Sequence, residues 1–386
     1  MKKLAIITSH PIQYNAPLFR LLTERGRVQV KVFYTWGQTK EGPVYDPDFG
    51  QAFQWDIPLL EGYEYQFIEN LSKNPGAGHF GGIVNKDLIP AVEAWQPDAV
   101  LLYGWSFKSH LQVLRHFKGK INLLFRGDST LLDEQEGFSI KKLARRIFLR
   151  WVYRHVNICL YTGTANKAYY QKHGLKETQL LFAPHAVDNE RFAKDDASRH
   201  AAAQAWRRQL GIGANELVFL FAGKFEPKKD PLLLVQAFQA LNQPGTRLVL
   251  VGQGVLAQQL QAMAAGHNQI ILLPFQNQQS MPLLYRLADV YVLPSRGPGE
   301  TWGLAVNEAM VCGRPVLVSS QCGCAADLIT PDTGWLFQAG SVEDLCRQMQ
   351  AVLAQQGHLS AKGQAARAHV RQFNYDVFAK EVEAFV

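Results

Sequence analysis

ELVFLFAGKFEPKKDPLLLVQAFQAL, residues 216–241, passes through three kinds of structure in one reading. ELVFLFAG (216–223) is a continuous apolar run, the mark of a parallel strand covered on both faces. GKFEPKKD (223–230) is a polar turn holding Gly223, Lys224, Lys228 and Lys229. DPLLLVQAFQAL (230–241) then reads as a helix, with Asp230 suited to its cap and Pro231 to its first turn. Strand, turn and helix in that order form the repeating unit of a doubly wound α/β sheet.

The same alternation runs outward in both directions. Downstream come RLVLVGQ (247–253), QIILLPF (269–275), DVYVLPS (289–295) and RPVLVSS (314–320). Upstream lie KLAIITS (3–9), VQVKVFY (28–34), DAVLLYG (98–104), INLLFRG (121–127), VNICLYT (156–162) and QLLFAPH (179–185), with a helical APLFRLLTER (16–25) after the first. The pattern pauses over 187–211, which is polar, contains no strand and ends in a helix. At 386 residues the chain is too long for one ordinary core. The expectation is an N-terminal domain over 1–195, a C-terminal domain over 196–370, and a helix over 371–386 whose spacing suits packing on either. The fold class is α/β, with two Rossmann-like parallel-sheet domains. Ligands of such sheets bind beyond the carboxyl ends of the strands, so polar residues there are the site candidates.

Composition narrows the class. A hydrophobic content of 47% supports large cores, yet no run approaches the ~20 apolar residues that span a bilayer. MKKLAIITSH (1–10) has too short an apolar stretch for a signal peptide and suits a first strand. Five cysteines without paired spacing, and C-x-C at 322–324 without a histidine cluster, fit buried thiols in a reduced cytoplasmic setting rather than zinc ligands. No metal is expected. The net charge of +7 lies mainly in residues 1–195, where 25 Lys and Arg face 19 Asp and Glu. KKLARRIFLRWVYRH (141–155) holds six of those cations among Leu, Ile, Phe and Trp. This basic amphipathic helix could face water or anionic lipid; without a nucleic-acid motif or stacking pattern, nucleic acid is not an expected partner.

PSRGPGETWGLAVNEAMVCGRP (294–315) follows a strand with a Gly/Pro loop and a helix expected from about Trp302 to Cys312, ended by Gly313. Backbone N–H groups at Trp302, Gly303 and Leu304 would open that helix without intrahelical partners and could receive an anion, with Gly303 admitting it closely. Glu300 precedes the helix and Glu308 lies about two turns along it. Read alone, these are a capping acid and a surface acid.

Taken together they resemble a family. GETWGLAVNEAMVCGRPVLVS (299–319) resembles the E-x7-E motif of the retaining glycosyltransferases of family 4, which have two Rossmann-like domains facing each other across a cleft (the GT-B fold). GKFEPKKDPLLLVQAF (223–238) is similar to that family's diphosphate turn, VLVGQGVLAQQL (249–260) to its Gly-x-Gly strand end, and LLPFQNQQSMPLLYRLADVYVLPS (272–295) to its base-binding segment. The resemblance covers nearly all of 216–340. It is looser at APHAVDNERF (183–192), where His185 replaces the usual Asn.

The resemblance implies a donor site for a UDP- or GDP-sugar. Gly223, Lys224 and Lys229 would hold the diphosphate, with Trp302, Gly303 and Leu304 at its distal phosphate. Glu308 would hold the ribose, Glu300 the sugar hydroxyls and Phe275 the base. Lys224 stands where Arg is usual, so a bidentate clamp becomes a point charge. The N-terminal domain would take a glycan or lipid-linked acceptor, through His10, Gln13 and Tyr14 after the first strand, Trp105 and Arg126 after later ones, and His185 at the junction. Relatives place a His near Arg126-Gly127-Asp128; Asp128 is the candidate catalytic partner beside Glu300 and Lys224, or else a turn residue. The implied activity is metal-independent, retaining transfer, without cofactor, in envelope or extracellular polysaccharide synthesis, in the cytoplasm or peripherally at the inner face of the membrane. A nucleotide-sugar epimerase or a non-catalytic nucleotide-sugar-binding protein of the same fold are the alternatives. A dinucleotide oxidoreductase would need more than the G-x-G of VGQGVLA (251–257).

Overall fold

The computed structural model describes residues 1–37, 44–46, 51–134, 137, 139–194 and 197–386. The chain divides into two compact units: residues 1–44, 57–184 and 375–386 form one, residues 45–56 and 185–374 the other.

The first unit is built on a seven-stranded sheet. In spatial order its strands are Glu64–Phe67, Val28–Tyr34, Lys2–Thr8, Ala99–Tyr103, Asn122–Arg126, Ile158–Tyr161 and Leu180–Phe182. Every neighbouring pair is parallel, with Ile6 opposite both Val32 and Leu101. Both faces are covered, which is why the central strands read as near-continuous apolar runs, whereas VQVKVFY nearer the edge alternates, with Gln29 exposed. Ala5 and Ile7 enter one core with Phe33, Val100 and Leu102, while Leu4 and Ile6 enter the other with Val32 and Leu101. The helix Tyr375–Phe385 belongs to this second core through Phe378, Ala379 and Val382. Arg25 ties it down, donating from Nε to Glu383 Oε1 at 2.6 Å and pairing with Asp376 at 2.7 Å.

The second unit carries a six-stranded parallel sheet in the order Ile270–Leu273, Thr246–Val251, Leu217–Ala222, Val290–Leu293, Val316–Ser319 and Gly334–Phe337. The order of connection reverses between Leu217–Ala222 and Val290–Leu293. In the first unit it reverses between Lys2–Thr8 and Ala99–Tyr103. Such a reversal sends successive crossovers to opposite sides and leaves a crevice at the carboxyl ends of the two strands beside it.

The strands follow the apolar runs closely, and the differences have local causes. Two edge strands were not anticipated: EYQF (Glu64–Phe67) mixes polar residues and keeps only partial burial, and GWLF (Gly334–Phe337) is a short apolar run with Leu336 exposed. The expected domain boundary at 195/196 lies outside the described residues. Residues 185–194 already pack with the second unit: Phe192 is fully buried, and Arg286 Nη2 donates to the carbonyls of Phe192 and Lys194 at 2.7 and 2.9 Å. Residues 45–56 also join that unit, where Asn277 Nδ2 donates to Gln54 O at 2.7 Å and Gln279 N reaches the Asp56 carboxylate.

Candidate functional site

Within the second unit, the loops leaving the two strands that flank the reversal both carry candidate residues. Leu217–Ala222 runs into Gly223–Asp230, with Lys224 and Lys229 half-buried. Val290–Leu293 runs into Ser295–Gly303, which holds Glu300. The two loops meet in an ion pair. Lys229 Nζ donates to Glu300 Oε2 at 2.5 Å, and Ser295 Oγ donates to the same oxygen at 2.8 Å. Glu300 is only 7% exposed, so its charge is offset locally. The Lys229 turn is also linked to its neighbour through Arg296 N, which donates to Lys228 O at 3.0 Å.

The helix beyond Glu300 begins later than its sequence suggests, at Leu304, and ends at Val311. Gly303 is its N-cap with φ 103°, a left-handed conformation that a side chain disfavours. A Cβ there would also lie 2.8 Å from Leu293 Cδ2 and 3.6 Å from Cys324 Sγ. The glycine is thus demanded by backbone conformation and packing behind the helix. Its first hydrogen bond within the turn runs from Val306 N to Gly303 O at 2.9 Å. The amides of Leu304 and Ala305 stand ahead of any intrahelical acceptor.

Trp302 is expected at the distal phosphate through its backbone amide, and its side chain turns inward. It is 3% exposed, its Nε1 donates to Asn307 Oδ1 at 2.8 Å, and its ring packs against Phe373 and His185. His185, expected on the acceptor side, belongs to the second unit, where Asn307 Nδ2 donates to its carbonyl. Asn307 therefore fixes Trp302 and the backbone at 185 together.

Glu308 is 2% exposed and accepts from Tyr285 OH at 2.7 Å. It is not the surface acid that its sequence position allowed. Tyr291 lies near both acids: burial raises its phenol well above the usual range, and the Glu300 and Glu308 charges add to that rise. Burial also raises the Cys322 and Cys324 thiols, with the Glu300 charge acting in the same direction, so neither is a thiolate nucleophile. All five cysteines are free. Phe275 stands half-buried just past the strand Ile270–Leu273.

Sequence reasoning missed Ser295, Tyr285 and Asn307. Ser295 ends an apolar strand and could have been found by position. Tyr285 and Asn307 act through contacts that no spacing announces. A separate polar cavity of about 840 Å³ opens at the other ends of these strands, beside Arg207, Glu216, Asp289 and Arg314, away from the Lys229–Glu300 pair.

In the first unit, His10 follows the first strand, half-buried, with Nδ1 3.0 Å from Ser9 Oγ and its ring edge-on to Trp36. Burial lowers its pKa, favouring the neutral imidazole. Gln13 and Tyr14 are half-buried just before the helix Ala16–Glu24. Trp105 stands beyond Ala99–Tyr103 and packs edge-on to Phe148. Asp128 is exposed in the loop after Asn122–Arg126. That loop is held by Tyr170 OH at Gly127 and by Asn166 Nδ2, which donates to Ser129 O at 2.7 Å.

Arg126 corrects its assignment to acceptor binding. Its guanidinium is buried, donating to Ala183 O at 2.5 Å and Pro184 O at 3.3 Å, and lies 4.7 Å from the Phe378 ring centroid. It clamps the last strand and the C-terminal helix within the first unit.

Comparison with known proteins adds likenesses of sequence and of fold. A D-inositol 3-phosphate glycosyltransferase of Geodermatophilus obscurus is 33% identical over 218 residues, covering 53% of this chain and 46% of that protein. The chain spans about half the length of the curated relatives it matches. Among solved structures, Anabaena HepE in complex with UDP and glucose matches with a TM-score of 0.71 at 18% identity, over 99% of this chain and 98% of that one. Sucrose-phosphate synthase from Thermosynechococcus elongatus matches with a TM-score of 0.72 at 18% identity, over 99% and 97%. These likenesses, with the two parallel-sheet α/β units, give the fold class as GT-B. Residues 202–369, which include Lys224, Lys229, Glu300 and Glu308, match the model of the family described as Glycosyl transferases group 1.

Proposed function

We propose that the chain is a glycosyltransferase that moves a sugar from a UDP- or GDP-sugar to a glycan or lipid-linked acceptor, with retention and without a metal. The observation that carries this reading is the meeting of Lys229 and Glu300 at the carboxyl ends of the two strands where the second sheet reverses. One cation suited to a diphosphate and one acid suited to sugar hydroxyls stand there side by side.

The donor diphosphate would take Lys224, Lys229 and the Leu304 amide, and Glu308 would accept from ribose hydroxyls. The acceptor oxygen then bonds to the sugar's anomeric carbon as the bond from that carbon to the phosphate oxygen breaks. On the same face, the departing phosphate oxygen takes the acceptor's proton. Charge gathers on the diphosphate, where the ammonium groups and the amide stabilise it in place. Glu300 orients the sugar. No enzyme-linked sugar forms in this scheme. On the first unit, His10, Gln13, Tyr14, Trp105 and Asp128 are the proposed acceptor-side residues.

The test is calorimetric titration with UDP, GDP and NAD⁺, followed by product analysis with the matching nucleotide sugars. A nucleoside diphosphate should bind, and the product anomer read by NMR should match the donor. Binding of NAD⁺ alone, free sugar released as an epimer, an inverted anomer, or activity abolished by EDTA and restored by Mn²⁺ would each overturn a stated part of the reading.

A further inference from the structure

The helix Ile140–Tyr153 in the first unit is amphipathic in an unusual sense. Leu149, Val152 and Tyr153 form its buried stripe. On a helix turning about 100° per residue, the opposite side carries Ile140, Leu143 and Ile147, and Phe148 lies on the flank between that side and Val152. These are large apolar side chains facing solvent, 78%, 46%, 61% and 40% exposed. A helix on the surface of a globular protein normally turns polar residues outward.

Cations border this outward apolar stripe. Lys141 lies beyond Phe148 on one flank with Arg145 further round, Arg146 and Arg150 lie on the other flank, and Arg154 stands at the C-terminal end of the stripe itself, all exposed. The helix contains no Asp or Glu. Phe148 packs edge-on to Trp105 and tilted against Trp151, so the stripe continues into an aromatic cluster. No helix among the described residues is long and apolar enough to cross a membrane.

We infer that this face lies on a membrane surface containing anionic lipid, with Ile140, Leu143, Ile147 and Phe148 entering the headgroup–acyl boundary and the flanking cations meeting lipid phosphates. Charge complementarity selects this occupant. A second copy docking through the same face would bring two acid-free rows of cations together. A bilayer with anionic headgroups offers both an apolar interior and negative charge at its surface. The face belongs to the first unit and the test uses no nucleotide sugar, so the inference stands or falls without any sugar transfer.

Co-sedimentation of the full chain with large unilamellar vesicles tests it. The native chain should pellet with vesicles of phosphatidylcholine and phosphatidylglycerol, at least about tenfold more tightly than with phosphatidylcholine alone, and less tightly as salt rises. Leu143→Ser with Ile147→Ser, both at exposed positions, should weaken binding about tenfold or more at unchanged melting temperature. Lys141→Gln with Arg154→Gln should weaken it and flatten its salt dependence. The inference fails if the native chain does not pellet with the anionic vesicles, or if the double serine variant binds like the native chain. It also fails if light scattering shows a dimer that the double serine variant splits, since a second copy would then own the face.

Discussion

Lys229 Nζ stands 2.5 Å from Glu300 Oε2, across two loops that leave different strands of the second sheet. The pair gives each loop a reason to approach the other. It also holds the ammonium where a diphosphate would compete with the carboxylate for it. Ser295 donates to the same oxygen, so Glu300 keeps a partner when the lysine is drawn away.

Lys229→Ala should therefore weaken UDP or GDP binding by about 1.5–3 kcal/mol, roughly tenfold to over a hundredfold, the contribution of a charge-assisted hydrogen bond. Calorimetric titration reads this directly. Native affinity in the variant would remove Lys229 from the donor site and leave it a partner of Glu300 only.

The two acids should separate kinetically. Glu300→Gln keeps the side chain's shape and its bond from Ser295, and is expected to lower kcat more than it alters nucleotide affinity. Glu308→Gln is expected to do the reverse. Tyr285→Phe should share part of the Glu308→Gln effect, because Tyr285 OH is a donor to that buried carboxylate. Equal loss of kcat and of affinity in both glutamine variants would contradict the division of roles.

Gly303→Ala should destabilise the fold by about 2–4 kcal/mol, since it combines a disfavoured φ of 103° with a Cβ 2.8 Å from Leu293 Cδ2. Adding Leu293→Ala would clear the contact, create a cavity and leave the backbone strain. The double variant should therefore lose less than the sum of the two single losses, measured by denaturant unfolding. Additive losses would show that the contact is not the obstacle.

Helix 304–311 shows where the sequence stops being informative. A strand that is buried on both faces needs apolar residues at every position, so VYVL and LVFLFA announce themselves without knowledge of their neighbours. The place where the next helix starts depends on the φ of Gly303 and on Leu293 behind it, and neither is a property of GETWGL read alone. Arg126 shows the same limit: it stands at a strand end, but its guanidinium turns to the carbonyls of Ala183 and Pro184. Position at a strand end is set locally; direction of a side chain is set by packing. The Lys229–Glu300 contact joins residues 71 positions apart and was visible only as two candidates in separate motifs.

Stability should fall in mild acid through His110. This imidazole is fully buried, with Nδ1 facing the carbonyls of Tyr103 and Gly104 and Nε2 2.9 Å from Thr35 Oγ1. Burial pushes its pKa down to about 4. The unfolded chain takes up that proton near ~6.5, so between those values it binds more protons than the folded chain. The contribution is complete above ~6.5 and lost by pH of about 4, on the order of 3 kcal/mol. His10 and His173, whose pKa values burial also lowers, add to the same trend. His110→Gln should flatten the dependence of unfolding free energy on pH in that window relative to the native chain; parallel curves would exclude His110 as a source.

Arg126 and Asp128 leave the same strand two residues apart and should behave oppositely when removed. Arg126 is an internal clamp, and Arg126→Ala leaves the carbonyls of Ala183 and Pro184 without their donor and Phe378 without its cation. Its expected cost is about 3 kcal/mol of stability, with nucleotide affinity unchanged wherever the variant remains folded. Asp128 is exposed, so Asp128→Ala should change stability by no more than about 0.5 kcal/mol. If Asp128 serves the acceptor, that variant loses kcat/KM for the acceptor by tenfold or more while UDP or GDP binds as before. Asp128→Asn should then recover part of the loss where the carboxylate only accepts a hydrogen bond, and none where its charge is needed. Unchanged acceptor kinetics in Asp128→Ala would make it a turn residue and move the search for the acceptor's partner to His10, which stands beyond the first strand beside the reversal of the first sheet.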